Sequence, residues 1–309
     1  MCSRVFWSDP TVAKVVARTL DWAESDEPML WVRPRGRDGR GDSGASSIRW
    51  TASYGSVATT GFEIVTTEAV NEKGLAVHIL YLEQTTYETP DLRPTVSNAR
   101  CVQWLADTCA TVDEALQALA GVRVVSVEVR GHHLGGHLSL EDASGDSAIV
   151  EFLDGKRVVH HGREFQVMTN DPDYDAQEAN LRRYRPFGGT LPVPGDILSP
   201  DRFVRASYFL NYLPAPKTEE EAVAGAVLVS HNVWVPPGAP YDDFEVFPTW
   251  WASAIDVTNR VYYIQTVSSP NLVWTSLDQL AIGEGDPVRS LDPLTPGLVG
   301  DISGDFASA

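Results

Sequence analysis

Basic residues are scarce in this chain: 24 Lys and Arg stand against 42 Asp and Glu among 309 residues, a formal charge of −18. Such a surface repels phosphate backbones and anionic bilayers, so neither nucleic acid nor a membrane is an expected partner. No apolar run is long enough to cross a bilayer, and no charged-then-apolar leader precedes residue 2. As written, the chain is expected in the cytoplasm, or in the periplasm if a leader has been removed. Cysteine is nearly absent. Cys2, Cys101 and Cys109 leave an odd thiol and no disulfide framework. There is no CxxC or Cys/His zinc spacing, so no metal is expected. No SxxK, GxSxG, P-loop or dinucleotide fingerprint competes for the chemistry, and no cofactor is required. No Gly/Ser-rich linker divides the middle, which favours a single domain over 1–309 with a weakly ordered acidic tail from about 283.

What is present is concentrated in the first 22 residues, MCSRVFWSDPTVAKVVARTLDW. Loss of Met1, by autocatalysis or by an aminopeptidase, leaves Cys2 with a thiol and a free α-amine on one Cα. Their ordinary pKa values, about 8.5 and about 7.7–8.0, both lie near working pH. A terminal amine activating its own side-chain nucleophile is a recognised catalytic arrangement. Residues 3–7 and 12–20 read as strands joined through Ser8-Asp9-Pro10-Thr11. A hairpin folded about Pro10 sets residue 2 opposite Arg18, and a guanidinium beside a thiol favours the thiolate. Asp21, just past the strand end, is expected to hold the terminal ammonium. Trp22 reads as a pocket wall and Trp7 as core.

Further along, residues 48–81 carry Val/Thr-rich, period-two stretches separated by turns, read as successive antiparallel strands. Helical spacing follows over 94–119, with Thr111-Val112-Asp113-Glu114 shaped as a capping box. A second β block spans 122–161 and contains His132, His133, His137, His160 and His161, none with a carboxylate at an obvious ligand spacing. Helices are expected at 175–184, 202–212 and 218–229, and strands at 249–257 and 260–267. Loop 33–47 reads as disorder or as a flap over an entrance. Paired helices between β blocks argue for an α+β fold of antiparallel sheets covered by helices.

The opening Met-Cys-Ser-Arg followed by Ala-Arg-Thr-Leu-Asp-Trp resembles the choloylglycine hydrolase family of penicillin V acylases and conjugated bile acid hydrolases, which are N-terminal nucleophile hydrolases of linear amides. The resemblance implies a four-layer αββα sandwich with Cys2 on a central strand. It implies that Cys2 attacks an amide carbonyl and that Arg18 and Asp21 set the charge state of the nucleophile. Asn170, in Thr169-Asn170-Asp171-Pro172, matches the family's oxyanion donor. Tyr81 matches the residue whose backbone N–H completes the oxyanion hole, and Arg202 matches an arginine that supports the nucleophile. The expected partner is a small amide with an apolar or aromatic acyl group. Penicillin V stands first, conjugated bile acids second and N-acyl homoserine lactones third. A silent binding protein on the same scaffold is the rival from another class. Residues 184–199 are brief where some members carry an insertion that clasps neighbouring subunits, so a tetramer of that kind is not expected; another homo-oligomer stays open.

Overall fold

Every residue of the strand Val65–Asn71 is buried, yet its alternate side chains enter two different cores. Val70 packs between two sheets, whereas Ala69 packs beneath a helix. Burial on both faces is what an inner layer of a sandwich requires. A computed structural model describes residues 1–129, 132–241 and 245–309, without the side chains of Val129, His132 and His133.

Two sheets form the inner layers. In the seven-stranded sheet, Val167–Met168 is followed in space by β1 (Cys2–Trp7), β2 (Val15–Asp21), Thr249–Asp256, Val261–Thr266, Val273–Ser276 and Gly300–Asp301. In the nine-stranded sheet the order is Lys156–His161, Ser147–Leu153, His137–Glu141, Ala76–Leu80, Val65–Asn71, Ser56–Gly61, Met29–Arg33, Arg289–Leu291 and Ala307–Ser308. Apart from Gly300–Asp301, which runs parallel to its neighbour, the pairings in these sheets are antiparallel. Helices α1 (Asn98–Thr108) and α2 (Val112–Ala120) cover the nine-stranded sheet. Helices α4 (Ser199–Asn211) and α5 (Glu219–His231) cover the other, with α3 (Tyr174–Leu181) packed on α4. The fold is thus α+β, four layers in the order αββα. Cys101 and Cys109 are buried free thiols in the core beneath α1 and α2.

Three sequence expectations are corrected. Cys2 faces Leu20, and Arg18 faces Arg4. The hairpin turns over residues 8–14 instead of pivoting at Pro10, because Lys14 is drawn into contacts with Val257 and Thr258. The slip is two residues, so side-chain parity survives and Arg18 still points to the side of Cys2. The end of the chain is not a weakly ordered tail. Arg289–Leu291 extends the nine-stranded sheet beside Met29–Arg33, and Ile302 and Phe306 are buried. Loop 33–47 is no flap: Asp38–Arg40 pairs with Arg49–Thr51, and none of its residues lines the cavity beside Cys2. The histidines do meet carboxylates, which close in space rather than in sequence. His137 and His160 both face Glu151, and His161 contacts Asp146. The side chains of His132 and His133 lie outside the described residues.

Candidate active site

The hairpin puts the side chains of Cys2 and Arg4 on β1, and of Arg18 and Leu20 on β2, on one face by simple alternation. That face looks toward the nine-stranded sheet. Arg18 is almost wholly buried, and its Nη2 donates to Cys2 Sγ at 3.4 Å. The guanidinium is fixed from several directions. Nη1 donates to the carbonyls of Thr67 at 3.1 Å and Ile79 at 3.4 Å, Nε lies 3.6 Å from Glu68, and the plane rests 5.0 Å from the Trp251 ring. A buried cation with so many anchors has little rotational freedom.

Asn170 enters from the turn that joins Val167–Met168 to α3. Its Oδ1 accepts from the backbone nitrogen of Cys2 at 2.5 Å and from Arg202 Nη2 at 2.9 Å. Its Nδ2 donates to the Tyr81 carbonyl at 2.7 Å, which leaves the second amide N–H for another acceptor. Gln177, on α3, clamps this turn through Thr169, the carbonyls of Asn170 and Asp171, and Ser199. Asp171 accepts the backbone N–H groups of Glu83 and Gln84, tying the segment after Tyr81 to the same turn.

Arg202, on α4, donates to the Cys2 carbonyl at 2.7 Å and to Ser3 at 2.5 Å. Arg205, three residues on, bonds instead to the carbonyls of Asn232 and Asp196, away from the thiol. Asp21 is buried beside Arg202, with Oδ2 at 3.8 Å from Nη1 and Oδ1 accepting from Thr249 at 2.6 Å. Oδ2 has no hydrogen-bond partner among the described residues. Burial pushes the Asp21 carboxyl up, against the opposing pull of Arg202 and the chain's amino group. With Met1 attached, its amine donates to the Asp21 backbone carbonyl, and burial lowers that amine. The side-chain contact expected between Asp21 and the amine is therefore not made in this form.

Beside the thiol lies a cavity of about 70 Å³, walled by Leu20, Trp22, Phe62, Ile79, Tyr81 and Leu134 and almost entirely apolar. Water needs ~10–15 Å³ of such space apiece, so the room is on the order of five waters. Trp22 presents ring edges or faces to Tyr81 at 5.2 Å, Phe62 at 6.1 Å and Phe247 at 6.4 Å. Trp7 lies elsewhere, against Gly225 of α5, where a Cβ would meet its ring at 2.7 Å.

All seven candidate residues, Cys2, Arg18, Asp21, Trp22, Tyr81, Asn170 and Arg202, thus converge on one locus. Sequence reading missed Glu68, His78, Gln177, Asp171 and the wall residues Phe62 and Leu134. The available signal was a Glu and a His in the middle of Val- and Thr-rich strands, where ionisable groups are rarely buried unpaired.

The family model for linear amide C–N hydrolases, choloylglycine hydrolase family, matches residues 2–290. The chain is similar to the penicillin V acylase of Pectobacterium atrosepticum, 34% identical over 308 residues, covering 90% of this chain and 81% of that protein. It is also similar to a bile salt hydrolase/transferase of Bifidobacterium longum subsp. longum, 26% identical over 297 residues, covering 87% and 93%. The solved structure of penicillin V acylase from Agrobacterium tumefaciens superposes with a TM-score of 0.90 at 35% identity, covering 100% of this chain and 98% of that one.

Proposed function

Since this chain belongs to the choloylglycine hydrolase family and hydrolyses linear amide C–N bonds, we propose that it acts on penicillin V-like amides with Cys2, freed of Met1, as nucleophile. In acylation, Sγ forms a bond to the amide carbon and the C–N bond breaks. The Cys2 amine relays the thiol proton to the leaving amine. Water then attacks the thioester carbon, the C–S bond breaks, and the acid leaves as the thiol is restored. Arg18 stabilises sulfur-borne negative charge. The second Asn170 N–H and the Tyr81 backbone N–H receive the oxyanion. Arg202 fixes Asn170 and the Cys2 carbonyl, and the unpartnered Asp21 Oδ2 is the acceptor for the freed amine when it is protonated.

The observation that carries this reading is the thiol of Cys2 held at 3.4 Å by a buried arginine at the mouth of a small apolar cavity. The higher identity to penicillin V acylases than to a bile salt hydrolase supports ranking penicillin V ahead of conjugated bile acids. Straight-chain N-acyl homoserine lactones remain the third substrate class. The test is hydrolysis of penicillin V, glycocholate and an acyl homoserine lactone by the protein lacking Met1, by the protein retaining it, and by Cys2→Ala. Penicillin V is expected to be cleaved fastest, and only by the first. Full activity in either of the other two overturns the nucleophile assignment. Retention of Met1 in the isolated protein, read by intact mass, favours the silent binding protein.

A further inference from the structure

Between the sheets runs a buried row of charged side chains that ends at the thiol. Across the seven-stranded sheet, Arg4, Arg18 and Ser253 are direct cross-strand neighbours. Facing them across the nine-stranded sheet stand Ser139, His78 and Glu68, again direct neighbours. The contacts alternate in sign. Arg4 Nε donates to Glu141 Oε1 at 2.6 Å, and Glu141 Oε2 lies at an ion-pair distance of 3.2 Å from His78 Nε2, neither of those two atoms making a hydrogen bond among the described residues. His78 Nδ1 lies 3.2 Å from Glu68 Oε2, which is 3.6 Å from Arg18 Nε, and Arg18 Nη2 reaches Cys2 Sγ at 3.4 Å. Arg4, Glu141, His78, Glu68 and Arg18 are all essentially without solvent exposure.

We propose that Glu68 and His78 are positioning residues for the nucleophile: Glu68 holds the Arg18 guanidinium against Cys2, and His78, as an imidazolium, adds positive charge to the buried row that favours a Cys2 thiolate. The inference rests on Cys2 being the nucleophile. A neutral imidazole offers one donor and one acceptor nitrogen, whereas both His78 nitrogens face carboxylates. The imidazolium suits both, through the hydrogen bond of Nδ1 with Glu68 and the charge proximity of Nε2 to Glu141. Burial alone pushes His78 down, but Glu141 and Glu68 together raise it above the usual histidine range. Burial likewise pushes Glu68 up, and the His78 hydrogen bond and the Arg18 charge more than reverse it.

Within the row Arg4 and Arg18 offset Glu68 and Glu141, which leaves the His78 imidazolium facing both the Asp26 carboxylate, ionised above about pH 6, and the Cys2 thiolate when it forms. Other groups facing this row are Asp26, which accepts from Trp251 and lies near Arg18 and Glu68, and Tyr262, which donates to Glu68 at 2.5 Å. Ser253 and Ser139 supply neutral donors to Glu68 and Glu141. Glu68 is thus fixed by several donors, and it faces the Arg18 guanidinium as an ion pair while Arg18 Nε donates to the Thr19 carbonyl at 3.3 Å.

The test uses the full chain lacking Met1. For His78→Gln, kcat for penicillin V is expected to fall about tenfold at pH 7 with KM within about twofold, and the acid limb of the kcat/KM profile to move up by about one pH unit. Iodoacetamide labelling of Cys2, read by peptide mass, should slow in parallel. For Glu68→Gln the labelling rate should fall as well, and the loss should be absent when Arg18 is already Gln, because both changes remove one contact. Additive losses, or wild-type labelling and pH profiles in both single variants, overturn the proposal. Glu68→Asp, with the charge kept, is expected to recover part of the rate, and it serves if the Gln variants fold poorly. Activity that survives Cys2→Ala would instead overturn the nucleophile assignment and leave the labelling outcome to be judged separately.

Discussion

The side-chain oxygen of Asn170 accepts from the backbone nitrogen of Cys2 at 2.5 Å, across 168 positions of sequence. The same side chain turns one amide N–H to the Tyr81 carbonyl, which leaves the other for a further acceptor. In the proposed mechanism this one residue both orients the nucleophile and offers a donor to the reacting carbonyl.

Asn170→Ala is expected to lower kcat by about 10²–10³, the usual loss for one oxyanion donor. Asn170→Asp keeps the acceptor for Cys2 but removes both N–H groups, so it should be equally slow. Steady-state kinetics with penicillin V check this. Near-normal turnover in Asn170→Asp would show that the oxygen alone matters.

Trp22→Ala removes the ring against which Tyr81, Phe62 and Phe247 pack. Loss of aromatic contact worth ~1–2 kcal/mol corresponds to a drop in kcat/KM for penicillin V of about five- to thirtyfold. A short straight-chain acyl amide should lose less, since it uses less of that wall. Equal losses for both acyl groups would argue that Trp22 acts on the fold rather than on the acyl group.

Asp26 is buried under Trp251, and burial raises its carboxyl to about 6. Its folded value stands above its unfolded one, so the folded state binds the proton more tightly. That contribution is present below about pH 4 and is lost as pH climbs through 6. Asp26→Asn should therefore stabilise the protein above pH 6, by about 3 kcal/mol at most, and confer little at pH 4. Urea unfolding at pH 7.5 and pH 4 measures it; a gain of the same size at both would remove the titration from the explanation.

Glu151 has the opposite sign. Burial pushes it up, but hydrogen bonds from His137 and His160, and from the Tyr174 backbone at the start of α3, bring it down to about 2. Its contribution is present above the ordinary carboxylate range and is lost as pH falls toward 2. Glu151→Gln should cost roughly 2–3 kcal/mol at pH 7, with the difference from wild type shrinking below pH 4. Because α3 also carries Gln177, the clamp on the Asn170 turn, turnover should fall along with stability.

The sequence disclosed the site better than its support. Cys2, Arg18, Asp21 and Trp22 fall within 21 consecutive residues, and one hairpin brings them together; Asn170 was marked by its turn. The register failed by two because turn composition locates a reversal without measuring its width, and Lys14 answers to Val257 and Thr258, far away in sequence. The C-terminal strands were illegible for a related reason. Arg289–Leu291 is three residues long, too short for a period-two pattern, and is defined by the vacant edge of Met29–Arg33. Glu68 and His78 read as polar interruptions in Val- and Thr-rich strands, because only the facing sheet supplies their partners.

The strand that flanks β2 on its far side comes from residues 249–256, and Arg202 and Asn170 arrive only after the middle of the chain. During synthesis, then, the first cysteine to leave the ribosome spends most of its time as an unremarkable thiol on an unfinished polypeptide. Its surroundings are completed late, when distant strands dock.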